Sequence, residues 1–222
     1  MRRTVTTLSM AALAVAGLSA CGDSGDEDLT QAQTAEALLT QEDFPLEGYT
    51  RGSVTERAAD AGTQTADPDD SLAALMEGTD VPEECLTALE ATDFGGSATT
   101  AESSVPFVSE TEGALITPEM EVVVGTAAGD SPLDLLNDVN DACADVEVTD
   151  ANMGFTMTFS SLDNLDGTKI TIAIADQTVE MTMAGKTEGN TIVAVLGQGV
   201  TQEDVEAVVN AQVDKVNALV EG

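Results

Sequence analysis

The chain of 222 residues offers few side chains for chemistry, and its three cysteines are the most distinctive of them. They are Cys21, near the N-terminus, and the pair Cys85 and Cys143. The spacing of this pair does not match the Cys-x-x-Cys pattern of redox centres or zinc sites. The chain contains no histidine, so the commonest general base and the commonest metal ligand are both missing. We therefore expect no metal and no cofactor.

The first twenty residues are typical of an export signal. Arg2 and Arg3 precede an uncharged apolar run over residues 8–18, which is too short to cross a hydrocarbon core of about 30 Å as a helix. This pattern predicts a signal peptide over residues 1–20. In an exported protein an even pair of cysteines predicts a disulfide, here between Cys85 and Cys143, with two free buried thiols as the alternative.

The signal ends in Leu18-Ser19-Ala20-Cys21, which resembles the lipobox of bacterial lipoproteins. The resemblance implies that Cys21 becomes the new N-terminus and carries acyl chains such as palmitate on its thiol. Two or three acyl chains on one residue give stable membrane anchoring. We therefore expect a lipoprotein on the outer side of the cell membrane, and the alternative is an ordinary secretory signal with a chance cysteine.

Acidic residues dominate the rest of the chain. Asp and Glu number 41 against seven Lys and Arg, and the formal net charge is −34. This charge repels nucleic acids and anionic headgroups, so we expect no nucleic-acid partner. Acidic and polar residues also fill residues 21–36, which are predicted to form a flexible tether that holds the domain off the membrane.

No arrangement of residues predicts catalysis. Serine and threonine nucleophiles have no histidine to activate them, and only Lys169, Lys186 and Lys215 could serve as amine bases. Acidic side chains are so numerous that no carboxylate pair stands out. We therefore expect that the protein is not an enzyme.

Three segments near the C-terminus alternate apolar and polar residues with a period of two, as half-buried strands do, and a fourth strand is predicted over residues 191–196. Turn sequences are predicted at residues 166–167 and 188–190, so the segments form an antiparallel meander with one apolar face. That face is rich in methionine and phenylalanine, which either form core or line a groove for an apolar ligand. The candidate groove residues are Met153, Phe155, Met157, Phe159, Met181 and Met183.

Helices are predicted around the sheet. One begins at Pro82, a second follows Ser131, and each places a cysteine on its apolar face. The last begins at a capping box of Thr201 and Asp204 and should cover the sheet with one row of valines. The valines are Val205, Val209, Val213, Val216 and Val220. With strands also predicted over residues 49–54, 97–109 and 115–125, the fold class is α+β. A single domain over residues 37–222 would contain a twisted antiparallel sheet of about six strands packed against helices, with the C-terminal helix covering the sheet.

The order of these features resembles the PknH-like extracellular sensor domains of actinobacteria. The matching features are Leu38-Leu39, Phe44-Pro45 and Gly48-Tyr49, followed by Cys85 in one helix, Cys143 behind another, and then strands and a last helix. The resemblance covers nearly all of residues 37–222 and implies a sheet packed on helices around a deep ligand cleft. Members typically have two disulfides, whereas this chain has cysteines for one.

The expected function is that of a lipid-anchored envelope lipoprotein with a non-enzymatic ligand-binding or sensor-type domain. Its partners would be the membrane, through the N-terminal lipid, and a small molecule, lipid or envelope protein. The alternatives are a carrier of apolar lipid across the envelope and a purely structural surface lipoprotein. A carrier requires a continuous apolar cavity, and a structural protein requires none.

Overall fold

The structure, a computed structural model, describes residues 28–58, 81–91, 99–110, 116–127, 131–144, 146–150, 155–175 and 177–221. Within these ranges it has four helices and nine strands, which confirms the predicted α+β class. The helices are α1 (Gln31–Ala37), α2 (Glu83–Ala91), α3 (Pro132–Cys143) and α4 (Gln202–Val220). The strands are β1 (Tyr49–Arg51), β2 (Thr55–Ala58), β3 (Thr99–Ser109), β4 (Glu119–Ala127), β5 (Glu147–Asp150), β6 (Phe155–Ser161), β7 (Asp166–Ile174), β8 (Gln177–Glu188) and β9 (Thr191–Gln198).

All nine strands belong to one antiparallel sheet with the order β1-β3-β4-β9-β8-β7-β6-β5, and β2 pairs with β3 next to β1. The predicted meander is confirmed as β6 to β9. The strand count exceeds the expected six or so, because β2 and β5 have only four residues each and were not predicted. The strand predicted over residues 49–54 is present as β1 but ends at Arg51. Gly52 separates β1 from β2, where its N–H donates to Pro106 O at 2.7 Å.

One face of the sheet, here called the α4 face, is covered by the C-terminal helix as predicted. The capping box is present, with Thr201 Oγ1 accepting from Asp204 N and the Asp204 carboxylate accepting from Thr201 N. Val220 was expected to be buried with the other valines but is 64% exposed, because it lies in the last turn of α4. The core on this face comprises Val205, Val208, Val209, Val213 and Val216 of α4 with Met120, Val122, Val124, Val193 and Val195 of the sheet.

The N-terminal residues of the described chain also pack on this domain, which corrects the predicted tether. Leu29 is buried, and α1 begins at a capping box of Thr30 and Gln33. Gln31 Nε2 donates to Glu102 O at 2.7 Å and to Ser103 Oγ at 2.9 Å. The expectation of a tether to residue 36 is therefore wrong from Leu29 onward, because side-chain hydrogen bonds fix a segment that has little apolar surface.

The opposite face, here called the α3 face, carries α2 and α3 over β6 and β7. A second core forms there from Cys85, Leu89, Val139, Cys143, Met157, Phe159 and Ile170. Since α3 contacts mainly β7, with fewer contacts to β6 and β8, it covers only this half of the sheet. The other half of the α3 face, on β3, β4 and β9, is left without a covering helix in the described part of the chain.

The two predicted turns have different outcomes. The turn between β8 and β9 is confirmed, with Gly189 at a φ of 60°. The hairpin between β6 and β7 exists, but its loop is residues 162–165, and Asp166 and Gly167 already belong to β7. Gly167 has a φ of 135°, and a Cβ there would lie 2.0 Å from Met183 O. Glycine is needed at this position for close approach of β8, not for the turn.

Candidate ligand-binding groove

The uncovered half of the α3 face contains a groove of about 270 Å³, close to the lower end of the roughly 300–1,000 Å³ of small-molecule sites. Its floor is formed by side chains that share this face of neighbouring strands, including Val123 of β4 and Ala194 and Leu196 of β9. Leu133 and Leu136 of α3 form one wall. We call this site the groove.

The start of α3 places this wall. Ser131 is the N-cap, and its Oγ accepts a hydrogen bond from Leu133 N at 3.3 Å. The same hydroxyl is 2.8 Å from Thr187 Oγ1 of β8, so the helix begins at a fixed point on the sheet. Pro132 fits the first helical turn, where its missing N–H costs nothing. Leu133 and Leu136 are then buried together with Ile192 of β9 beside the groove.

The opposite side of the groove is polar. Arg57 of β2 and Glu102 of β3 are cross-strand partners, and Arg57 Nη1 lies 2.9 Å from Glu102 Oε1. The Glu102 side chain is 16% exposed and that of Arg57 is 58% exposed, so the guanidinium lies at the rim. Thr55 and Ser104 add hydroxyl groups to the same side.

Glu121 of β4 is the second carboxylate in the groove. Its cross-strand neighbours are Pro106 on β3 and Leu196 on β9, neither of which has a polar side chain. The Glu121 side chain is partly buried, and within the described ranges it makes no hydrogen bond or ion pair. The groove is therefore an apolar trough with one paired and one unpaired carboxylate.

The candidate groove residues of the sequence analysis fall into three groups. Met157 and Phe159 are buried in the core beneath α2 and α3, so the core alternative applies to them. Met183 is partly buried and lines the groove, and Met181 lies on the same face but is 37% exposed. Met153 and the side chain of Phe155 lie outside the described residues, as does Cys21 with the signal peptide.

Sequence reasoning suggested a groove on the methionine- and phenylalanine-rich face but missed the strands that form most of its floor. Its floor combines β3 and β4 with β9, which lie far apart in the sequence, and only the strand order brings them together. One sequence feature points to it. Val123 is an apolar residue among Glu119 and Glu121 on the face of β4 that the alternation assigns to solvent.

The expected disulfide is present. The Cys85 and Cys143 sulfurs are 2.02 Å apart and join α2 to the end of α3. The two cysteines are 58 positions apart in the sequence, and both lie in the second core. The bond therefore holds together the two helices that cover half of the α3 face.

The two clear pKa shifts concern groups outside the groove. Hydrogen bonds from Lys215 and Thr40 lower the pKa of Asp43 from 3.8 to about 2. Burial, and then the charge of Asp204, raises the pKa of Tyr49 above its usual value of 10.0. Within the described ranges no group of three or more Cys, Asp or Glu side chains is arranged to hold a metal ion.

No protein-family model matches the chain, and no curated protein matches it in sequence. Comparison with solved structures gives a clear result. The fold resembles that of the extracellular domain of PknH from Mycobacterium tuberculosis. The match has a TM-score of 0.53 and 15% identity, and it covers 87% of this chain and all of the PknH domain chain. The predicted resemblance is therefore confirmed for the fold.

Among the described residues, no helix is both long enough and apolar enough to cross a bilayer.

Proposed function

We propose that this protein is a lipid-anchored envelope protein whose domain binds a small apolar molecule in the groove and catalyses no reaction. Acyl chains on Cys21 would hold the domain on the outer side of the cell membrane. The observation that carries the proposal is the groove of about 270 Å³, which combines apolar side chains with a few polar groups at one side. This composition is usual for small-molecule sites.

Further features support the extracytoplasmic setting. The Cys85–Cys143 disulfide is stable in an oxidising compartment, and disulfides are rare in the cytosol. The similar fold of PknH is that of an extracellular domain. The segment that ends in Cys21 has the composition of a lipoprotein signal.

Ligand binding is tested by native mass spectrometry of the full chain purified from its own host without added lipid. We expect a bound apolar species whose occupancy falls in the variant Ala194→Phe, because Ala194 is part of the groove floor. The matched control is Ala218→Phe on the exposed side of α4, which should retain the ligand. A ligand-free wild-type protein, or equal occupancy in both variants, would contradict the proposal.

Anchoring is tested by the variant Cys21→Ser. The wild-type protein should be found in the membrane fraction, and its N-terminal peptide should begin at residue 21 with the mass of added acyl chains. The variant should lose the acyl chains and leave the membrane after detergent-free washing. A native protein that begins at Met1, or an unmodified Cys21 thiol, would refute the lipid anchor.

A second candidate function is that of a lipid carrier, and one observation favours it. Leu196 and Met181 are large apolar side chains, 39% and 37% exposed, that continue the floor of the groove toward solvent. A carrier should move a fluorescent lipid between two vesicle populations at a rate proportional to protein concentration. A receptor-type binding domain should bind the lipid without accelerating its transfer.

A further inference from the structure

The basic residues of the chain leave Glu121 without an internal counter-ion. Beyond Cys21 the chain has five basic residues, and the structure describes all of them. Each has a partner elsewhere: Arg51 Nε donates to Leu39 O, Arg57 pairs with Glu102, Lys169 with Glu180, Lys186 with Asn210 and Lys215 with Asp43. None of the five pairs with Glu121, so a cation that pairs with this carboxylate would come from outside the chain.

The surroundings of Glu121 favour an organic cation over a hydrated metal ion. Leu196 and Pro106 flank the carboxylate, and Val123 follows it along the same face of β4. These side chains offer an apolar surface next to the carboxylate. A hydrated inorganic ion gains nothing from such a surface, whereas a molecule with an ammonium group and an alkyl chain uses both parts.

The net charge also favours a cationic ligand. Glu102 and Glu121 with Arg57 give the groove a net negative charge, and the whole chain carries a formal charge of −34. A fatty acid or a phosphate ester would bring its negative charge into this field, which costs energy. A cationic amphiphile would be concentrated by it.

Building on the proposed function of the groove, we infer that its ligand is a cationic amphiphile. The ammonium group pairs with the Glu121 carboxylate. The alkyl chain lies over Val123 and Ala194, against Leu133 and Leu136 of α3. Arg57 stays paired with Glu102 and is not used as an anion site.

The test compares three probes of equal chain length, n-octylammonium, 1-octanol and octanoate, by calorimetric titration of the full chain. The protein carries Cys21→Ser, so that no attached acyl chain competes for the groove. We expect octylammonium to bind about tenfold more tightly than octanol, which corresponds to one partly buried ion pair. Octanoate should bind more weakly than octanol, and added salt should reduce the preference for the amine.

The matched variants are Glu121→Gln and Glu119→Gln. Both residues lie on the same face of β4, but Glu119 is exposed and does not line the groove. Glu121→Gln should remove the preference for octylammonium and leave octanol binding unchanged, whereas Glu119→Gln should behave as the wild type.

The outcomes separate the inference from the proposed function. If all three probes bind equally, or if both variants lose the same affinity for the amine, the cationic ligand is refuted while the groove remains a binding site. Tightest binding of octanoate would likewise refute it. If no probe binds and Ala194→Phe changes nothing, the proposed function of the groove fails as well.

Discussion

Gln212 of α4 holds the backbone of Leu39 through its side-chain amide. Gln212 Oε1 accepts from Leu39 N at 3.0 Å, and Gln212 Nε2 donates to Ala37 O at 2.6 Å. The Gln212 side chain is fully buried, and so are both partners. One side-chain amide therefore satisfies two buried backbone groups at the end of α1 and just after it, much as a neighbouring strand would.

This relationship predicts a large loss of stability in Gln212→Leu. The substitution leaves the Leu39 N–H and the Ala37 carbonyl buried without partners, at about 1–3 kcal/mol for each group. We expect the free energy of unfolding in urea to fall by roughly 2–4 kcal/mol. The control Asn217→Leu changes an exposed residue of the same helix and should alter the stability little. A loss below about 0.5 kcal/mol in Gln212→Leu would contradict the structural role of the amide.

The disulfide predicts a second loss of stability. In the chain-entropy model, a closed loop of 58 residues stabilises by about 4 kcal/mol. The double variant Cys85→Ala/Cys143→Ala should therefore unfold at lower urea concentration, and a reductant should destabilise the wild type but not this variant. An unfolding midpoint that a reductant leaves unchanged in the wild-type protein, with thiols accessible only after denaturation, would mean that the bond is absent.

The ion pair of Asp43 and Lys215 predicts a dependence on pH. The pKa of Asp43 lies at about 2 in the folded protein, below its ordinary 3.8. The ionised carboxylate therefore stabilises the fold above about pH 4, and this contribution disappears as the pH falls toward 2. Because the Asp43 side chain is 46% exposed, we expect only about 0.2–1 kcal/mol from the pair.

The measurement for this pair compares the wild type with Asp43→Asn across that pH range. The difference in unfolding free energy should be present at the upper end and vanish at the lower end. Lys215→Gln should lose a similar amount at neutral pH. A difference that is unchanged between pH 4 and pH 2 would exclude the pair as its cause.

The net charge of −34 predicts that salt stabilises the protein. Raising the ionic strength from 0.01 to 0.15 M shortens the Debye length from about 30 to about 8 Å, which screens repulsion among the acidic side chains. The melting temperature should rise most over this range, and NaCl and KCl should act alike because screening depends on ionic strength. A melting temperature that does not change with salt would show that self-repulsion is unimportant to the fold.

Local patterns predicted the elements of this fold well. The period of two in three segments from Met153 to Met183, with the turn residues after them, predicted the meander, and Thr201 with Asp204 predicted the start of α4. The cysteine pair predicted the disulfide. The strands and the start of the helix depend on residues that are close in sequence. The disulfide could be predicted because the chain has very few cysteines to pair.

Contacts between distant polar groups could not be predicted in this way. Hydropathy assigns the segment around Gln31 to solvent, but its side chain binds the backbone of Glu102 on β3. Gln212 acts on Leu39 across a separation of 173 residues, and no local pattern marks it. The groove exists because β9 lies beside β4 and because α3 covers only the other half of the sheet face. Both depend on the tertiary fold.

The docking of the N-terminal segment on the sheet leaves only a short stretch of chain between Cys21 and the domain. Asp28 Oδ1 accepts from Asn190 Nδ2 at 2.8 Å, at the β8–β9 turn, and Ile192 at the start of β9 lines the groove. Six residues lie between Cys21 and Asp28, so the greatest contour length between the two is about 25 Å. On the proposed acylation of Cys21, this short segment would keep the groove near the leaflet that holds the anchor. The bilayer would then be the reservoir from which the proposed site fills.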